Sequence, residues 1–359
     1  MNETDFWNLA GRAGRLGKEF QGNVVCIDPR RADVWKTPPP TARSTYPITP
    51  ASDTVFGTVG EFLAYLRSDT PSHIAEKHPE YDQLLTYLLS QFSDSDGLIR
   101  ATACAGLTAD RRIELEAAIR TVRDALTIPI DIVNRNPGIS PFAMQRLLQS
   151  FERHTGAVEE LIPVVPESQD AVEVYLKVFR RINEQVLPVF GSEKRAFALA
   201  LLIVDWMRGH PLARIIASRI RYLTRKARKY DLAAVIRDVM QEVEQIARFI
   251  APKYLSCYID VLRHHLNKSN REAIATSLPD VNLWLEFGAS QRTQLSLMGL
   301  GLSRTTAIAV SDYIVEDSLS EEEAMEKLRR LKIDSLGLPL AIVREIKLLI
   351  GESAVLPAS

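Results

Sequence analysis

The feature that most constrains this chain is a series of helical-period segments filling its second half. From about Glu167, apolar residues recur at three- and four-residue intervals through Ala171–Gln185, Glu193–Met207, Leu212–Lys229, Leu232–Ile250 and Tyr254–Leu266, with Pro, Gly or polar breaks between them. That period places one apolar stripe on each helix, and several such stripes are buried only against one another. The expectation is a mainly α fold, a multi-helix bundle. No fixed repeat length relates the segments, so a solenoid is not expected.

Upstream, Asp53 or Thr54 opens a helix to Ser68, with Val55, Val59, Phe62 and Leu66 on one face. Pro79 starts a second, with Tyr81, Leu84, Leu85, Leu88 and Leu89 apolar, and Asp110 opens a third that runs to about Leu126. Ile128-Pro129-Ile130-Asp131-Ile132-Val133 alternates, which predicts a short edge strand. Ser140-Pro141 then caps and starts a helix that buries Leu147, Leu148 and Phe151. Beyond Asp280 come shorter helices, one opened by the capping box Ser320-Glu321-Glu322-Glu323 and the last carrying Pro339 in its first turn.

The front of the chain reads differently. Asp5-Phe6-Trp7-Asn8-Leu9-Ala10-Gly11-Arg12-Ala13-Gly14-Arg15 sets two arginines three apart after an aromatic pair, and Gly22-Asn23-Val24-Val25-Cys26-Ile27 follows as a strand. Arginines three apart share a helix face, and the small residues around them let a bulky ligand approach the backbone. Two fixed guanidinium forks suit a polyphosphate. One helix and one strand are too little to fold alone. From Thr37 to Asp53 the prolines Pro38, Pro39, Pro40, Pro47 and Pro50 predict an extended linker.

The string Asn8 to Arg15 resembles the sixth signature motif of superfamily-two helicases, Gln-x-x-Gly-Arg-Ala-Gly-Arg, with Asn8 keeping the amide of the usual Gln one methylene shorter. In the Ski-like branch that motif follows an acidic-aromatic pair, here Asp5 and Phe6, and precedes a Gly-led strand, here Gly22 to Ile27. The resemblance implies that residues 1–36 are a remnant of the second RecA-like lobe. It implies that Arg12 and Arg15 act as arginine fingers on ATP, with Asn8, Gly11 and Gly14 shaping the approach. ATP and Mg²⁺ would need the rest of the lobes. No G-x-x-x-x-G-K-[ST] loop and no Asp-Glu-x-His box occurs in these residues, so the chain alone is expected to hydrolyse nothing. A truncated gene, a split gene whose partner chain supplies the lobes, and a remnant all fit that reading. Residues 37–52 are then the linker, 53–160 a small helical module (winged-helix-like by the resemblance), 161–275 the bundle with its basic helix, and 276–359 a C-terminal helical hairpin region.

Net charge is −1 over 359 residues, so any nucleic-acid surface must be a local patch. The clearest one is Leu212–Lys229. Between Asp205 and Asp231 there is no acidic residue, and eight are Lys or Arg. On a helical wheel Arg214, Arg221, Arg225 and Arg228 fall within about 60° of one another, opposite Leu212, Ile216, Ile220, Leu223 and Ala227. The functional reading is sequence-independent phosphate binding. The bland reading is a solvated face balanced by acids such as Glu242 and Glu244. In Ski-like helicases a long bundle helix lies across the tracking strand as a ratchet, and the resemblance extends that role to a helix here.

Two further features have competing explanations. Gly299-Leu300-Gly301 is similar to a helix-hairpin-helix turn whose amides grip a phosphate, and a glycine C-cap followed by Ser303 as the next N-cap accounts for the same residues. Trp206 and Trp284 lie in apolar settings and read as core. Asp205, Glu286 and Asp312 form no paired constellation, so no hydrolytic site is expected. Cys26, Cys104 and Cys257 are far apart and apolar in setting, which predicts reduced core thiols in a cytoplasmic protein without zinc. The longest apolar run, Ala196–Val204, is about half of the roughly 18 residues a membrane span needs.

The expected function is therefore the C-terminal part of an ATP-dependent DNA or RNA helicase that holds single-stranded nucleic acid on its helical domain. The alternative is a non-catalytic helical module that binds nucleic acid or protein.

Overall fold

A computed structural model describes residues 55–68, 71–75, 77–92, 107–225 and 229–351. Among them every regular element is a helix, as the apolar period requires. Three apolar clusters follow one another along the chain.

The first cluster joins α1 (Val59–Leu66), α2 (Pro79–Gln91) and α3 (Ala109–Ala125). Phe62, Leu85, Leu88 and Ile119 are fully enclosed. Tyr65, also enclosed, donates its hydroxyl to Asp82 at 2.5 Å, and burial, with that carboxylate beside it, pushes its pKa up. The third helix starts earlier than Asp110 suggests, because Thr108 takes the cap and accepts from the amide of Arg111.

The expected strand at Ile128–Val133 is a helix. Pro129 stands at the N-cap of α4 (Ile130–Arg135) with φ −61° and ψ 141°. Proline donates no ladder hydrogen bond but fits a helix start, and Ile128 and Ile132, four apart, are both buried. With α4 helical, no strand is present among the described residues of 53–160 to form a wing.

The second cluster is the main bundle: α5 (Pro141–Glu152), α6 (Ala171–Gln185), α7 (Glu193–Met207), α8 (Leu212–Arg225), α9 (Leu232–Glu242), α10 (Ala251–Lys268) and α11 (Val281–Phe287). Phe179 and Phe190 stack face to face at 3.6 Å between centroids. The enclosed hydroxyls of Tyr175 and Tyr258 donate to the carbonyls of Val164 and Leu161 at 3.1 and 2.9 Å, as buried polar groups must.

The expected break near Ala251 is absent. Eight residues of π-helix, Val243–Ile250, connect α9 to α10 without interruption. Pro252 falls in the first turn of α10, directly after the wider π turns, where its missing amide and its ring are accommodated. The π turns also serve packing. Val239, Val243, Ala247, Ala251 and Leu255 are buried at steps of four, a stripe that drifts round a 3.6-residue turn. Wider turns in the middle rotate it back to the core.

The third cluster comprises α12 (Arg292–Gly299), α13 (Arg304–Ser311), α14 (Glu321–Arg330) and α15 (Leu340–Ile350), around Leu297, Val310, Leu328 and Ile346. The capping box at Ser320 and Glu323 is formed in both directions. No helix is long and apolar enough to cross a membrane among the described residues.

Candidate nucleic-acid interface

Helix α8 is the least buried helix side of the bundle. Ile215 alone is fully covered, while Ile216, Ile220 and Leu223 are partly buried against the second cluster. Leu212, expected on that packed face, is 37% exposed, because it lies in the first turn beside an open cleft. Arg214, Arg221 and Arg225 all point to solvent.

The acids expected to balance this face are engaged elsewhere. Glu242 on α9 holds Arg219 at 2.6 Å, an arginine on the inward flank of α8. Glu244 holds Arg248 of its own helical run at 2.9 Å. Among the described residues, no carboxylate pairs with Arg214, Arg221 or Arg225; Arg221 donates only to Ser218 Oγ, at 3.0 Å. Arg221 and Arg225 are one turn apart, about 6 Å along the axis, with Arg214 about 10 Å behind Arg221. Three guanidinium groups in a row, without carboxylate partners among the described residues, match the demands of a phosphate backbone.

Aromatic groups that the sequence reading passed over flank this row. Tyr222 is 50% exposed, and Phe197 of α7 is 46% exposed. They edge a small hollow of about 70 Å³ between α7 and α8, with Lys194, Leu201 and Arg219. Tyr230 is also exposed and shares a hydrogen bond with Thr224 Oγ1 at 3.2 Å. Exposed aromatics beside arginines are the elements of a single-strand platform, where bases stack and phosphates pair. Phe197 and Leu201 recur at four residues within an otherwise apolar helix. Only the packing reveals that their side of α7 is open.

The start of α8 is set by the turn after α7. The amides of Gly209 and His210 donate to the carbonyls of Trp206 and Asp205, both at 3.1 Å, with Gly209 at φ +76°. That left-handed closure is natural to glycine. His210 Nδ1 lies 3.1 Å from the Asp205 carboxylate. Burial lowers the pKa of His210 against the opposing pull of Asp205.

Trp206 is core, as expected: its indole N–H donates to the carbonyl of Leu285 at 2.8 Å. Arg304 from α13 lies over its ring at 3.9 Å and donates to the carbonyls of Gly288, Trp206 and His210. No carboxylate pairs with it among the described residues, and burial lowers its pKa to about 10. The carbonyl ends of α7 and α11 take the place of a counter-ion. This arginine ties the third cluster to the bundle beside the first turn of α8.

The amides of Leu300 and Gly301 in the Gly299-Leu300-Gly301 turn donate to the carbonyls of Ser296 and Met298, and the start of α13 that follows already holds an anion supplied by the chain. Ser303 caps α13, and the Glu345 carboxylate of α15 accepts from the Ser303 amide, from Ser303 Oγ at 2.9 Å and from Thr306 Oγ1. Burial pushes the Glu345 pKa up, but hydrogen bonds from Thr306 and Ser303 outweigh it and keep the carboxyl below its usual range. The glycine cap accounts for this turn, and its amides are occupied.

Asn8, Gly11, Arg12, Gly14, Arg15 and Arg228 lie outside the described residues, as do Cys26 and Cys104. Cys257 is buried, and burial pushes its thiol up to about 12, which keeps it protonated and inert. No group of His, Cys, Asp and Glu able to hold a metal ion occurs among the described residues. No protein-family model matches the chain, and neither a curated protein nor a solved structure does.

Proposed function

We propose that the helical body binds single-stranded DNA or RNA along α8, as the nucleic-acid-holding C-terminal part of an ATP-dependent superfamily-two helicase. The observation that carries the binding reading is the division of labour among arginines. Glu242 neutralises Arg219, which turns inward, while Arg214, Arg221 and Arg225 stay exposed without carboxylate partners among the described residues. The helicase reading is supported by the Asn8 to Arg15 motif. In it, Arg12 and Arg15 stabilise charge on the transferred phosphoryl of an ATP–Mg²⁺ complex whose remaining ligands come from helicase lobes.

A labelled oligonucleotide titrated by fluorescence anisotropy at 50 and 200 mM salt tests the binding. Three phosphate contacts on a single strand give a log–log salt slope of about −2, hence a loss of roughly tenfold to twentyfold across that range. Arg221→Glu with Arg225→Glu should remove most of the affinity and flatten the slope. Unchanged binding by that double variant overturns the α8 reading. ATPase activity on mixing with helicase lobes, lost in Arg12→Ala, tests the motif; no such stimulation leaves the non-catalytic module as the better account.

A further inference from the structure

The first apolar cluster and the main bundle meet over a cleft of about 440 Å³, a size that suits a small ligand. Helices α2, α5, α6 and α10 all contribute to its lining, and Ile139, Ala143, Val186 and Leu187 give it an apolar wall.

Charges of both signs stand at this cleft. Asp82 of α2 gives its Oδ1 to the Tyr65 hydroxyl, while Oδ2 accepts from no donor among the described residues. Glu184, exposed near the end of α6, adds a second carboxylate. Arg146 of α5 donates Nε to the carbonyl of Gln185 at 3.1 Å, which anchors its guanidinium at the cleft. Burial lowers the Arg146 pKa, and the neighbouring Asp82 charge opposes that effect. Lys253 stands just behind, with its ammonium on the carbonyl of Gly138 at 2.9 Å, and Gly138 itself lines the cleft.

The group that points to a ligand is the Tyr254 hydroxyl. Tyr254 of α10 is 9% exposed, and its hydroxyl has no hydrogen-bond partner among the described residues. It is not one of the fully enclosed polar atoms that lack a partner, so the oxygen itself meets the cleft. Burial raises its pKa, with Cys257 and Asp82 adding to the rise, so hydroxyl and Asp82 carboxylate share one space. A hydroxyl carried on a buried ring is a fixed donor and acceptor, and an incoming polar group satisfies it.

An apolar wall, balanced charges and a reachable, unmet hydroxyl fit a ligand that is itself zwitterionic. We infer that this cleft binds a free apolar α-amino acid, with its ammonium on Asp82, its carboxylate on Arg146 and the Tyr254 hydroxyl, and its side chain against Ile139, Val186 and Leu187. A simple amine leaves the guanidinium without its complement, and a simple acid is repelled by Asp82 and Glu184. The inference stands apart from the strand-binding reading, because none of these residues lies on α8.

The test titrates the full chain by calorimetry with L-leucine, with N-acetyl-L-leucine, which lacks the ammonium, and with L-leucinamide, which lacks the carboxylate. L-Leucine should bind about tenfold tighter than either, the worth of one charge-assisted hydrogen bond. Tyr254→Phe deletes only the hydroxyl, so it should melt as wild type does and weaken L-leucine roughly threefold to tenfold. Asp82→Asn should weaken L-leucine about tenfold and leave N-acetyl-L-leucine unchanged, a selectivity that a purely structural role for Asp82 does not produce. Melting temperature identifies a variant that has lost its fold, and the other variant then decides. The inference is overturned if L-leucine does not bind at millimolar concentration, if either blocked compound binds as tightly, or if the folded variants keep the wild-type affinity.

Discussion

Helices α7 and α8 are neighbours in one bundle, of 15 and 14 residues, and they are used in opposite ways. In α7 Leu199, Ala200, Ile203, Val204 and Met207 are completely enclosed, and Asp205 is buried as the partner of His210. In α8 only Ile215 is buried, and the outer side carries three arginines without carboxylate partners among the described residues and an exposed tyrosine. A helix with so little buried surface contributes little to stability and depends on its neighbours for position. The contrast separates a helix placed by its packing from one whose charged side faces solvent.

The contrast breaks most visibly on truncation. Leu199→Ala, at the centre of α7, should cost about 2–5 kcal/mol in chemical denaturation, and a loss under about 1 kcal/mol would mean that α7 is not the core helix described. Arg304→Gln should cost about 1–3 kcal/mol by leaving carbonyls of Gly288, Trp206 and His210 without their charged donor. It should also loosen protection of the α8 amides in hydrogen exchange; unchanged protection would deny Arg304 its part in placing that helix.

On α8 the order of effects reverses. Arg221→Glu with Arg225→Glu should leave unfolding within about 0.5 kcal/mol of wild type, as exposed sites do, while strand binding falls at least tenfold. Equal losses of stability and binding would make the face structural. Tyr222→Ala should remove about 1–3 kcal/mol of single-strand affinity with little change in salt slope, since stacking is not ionic. A change in slope without a change in stacking fluorescence would assign its effect to the neighbouring arginines.

The smallest effect is on pH. His210, His264 and His265 all have pKa values lowered by burial from the ordinary 6.5. The unfolded chain then binds protons that the folded chain refuses, so their contribution is fully present above about pH 6.5 and declines as pH falls below it. Melting temperature should drop from pH 7.5 to 5.5, and replacing His264 and His265 by Gln should shrink the drop. A drop of the same size in that variant would place the titration elsewhere, on the His210–Asp205 pair first.

Much of the helical order was legible in the residues. Ala171–Gln185 and Glu193–Met207 begin and end where their apolar period and polar flanks place them. The capping box at Ser320 and the proline starts at Pro79 and Pro141 are likewise local matters, decided within one turn. The misread stretches are those where neighbours outvote local preference. Ile128–Val133 alternates like a strand, yet no partner strand exists among the described residues and the bundle has room for a helix. Pro252 reads as a stop, yet the π turns before it absorb the ring.

The candidate site divides along the same line. That α8 is basic on one side follows from residue spacing alone, because a helix converts sequence interval into direction. Which arginine is neutralised does not. Glu242 reaches Arg219 from another helix, Glu345 fills the α13 start from 42 residues away, and Arg304 crosses to Trp206 from 98 away. Sequence by itself determined the helices and their amphipathic faces, since both depend on contacts within a turn. Tertiary structure alone decided which charges are paired, which polar groups are left open and where the clefts lie, since those depend on which distant faces meet.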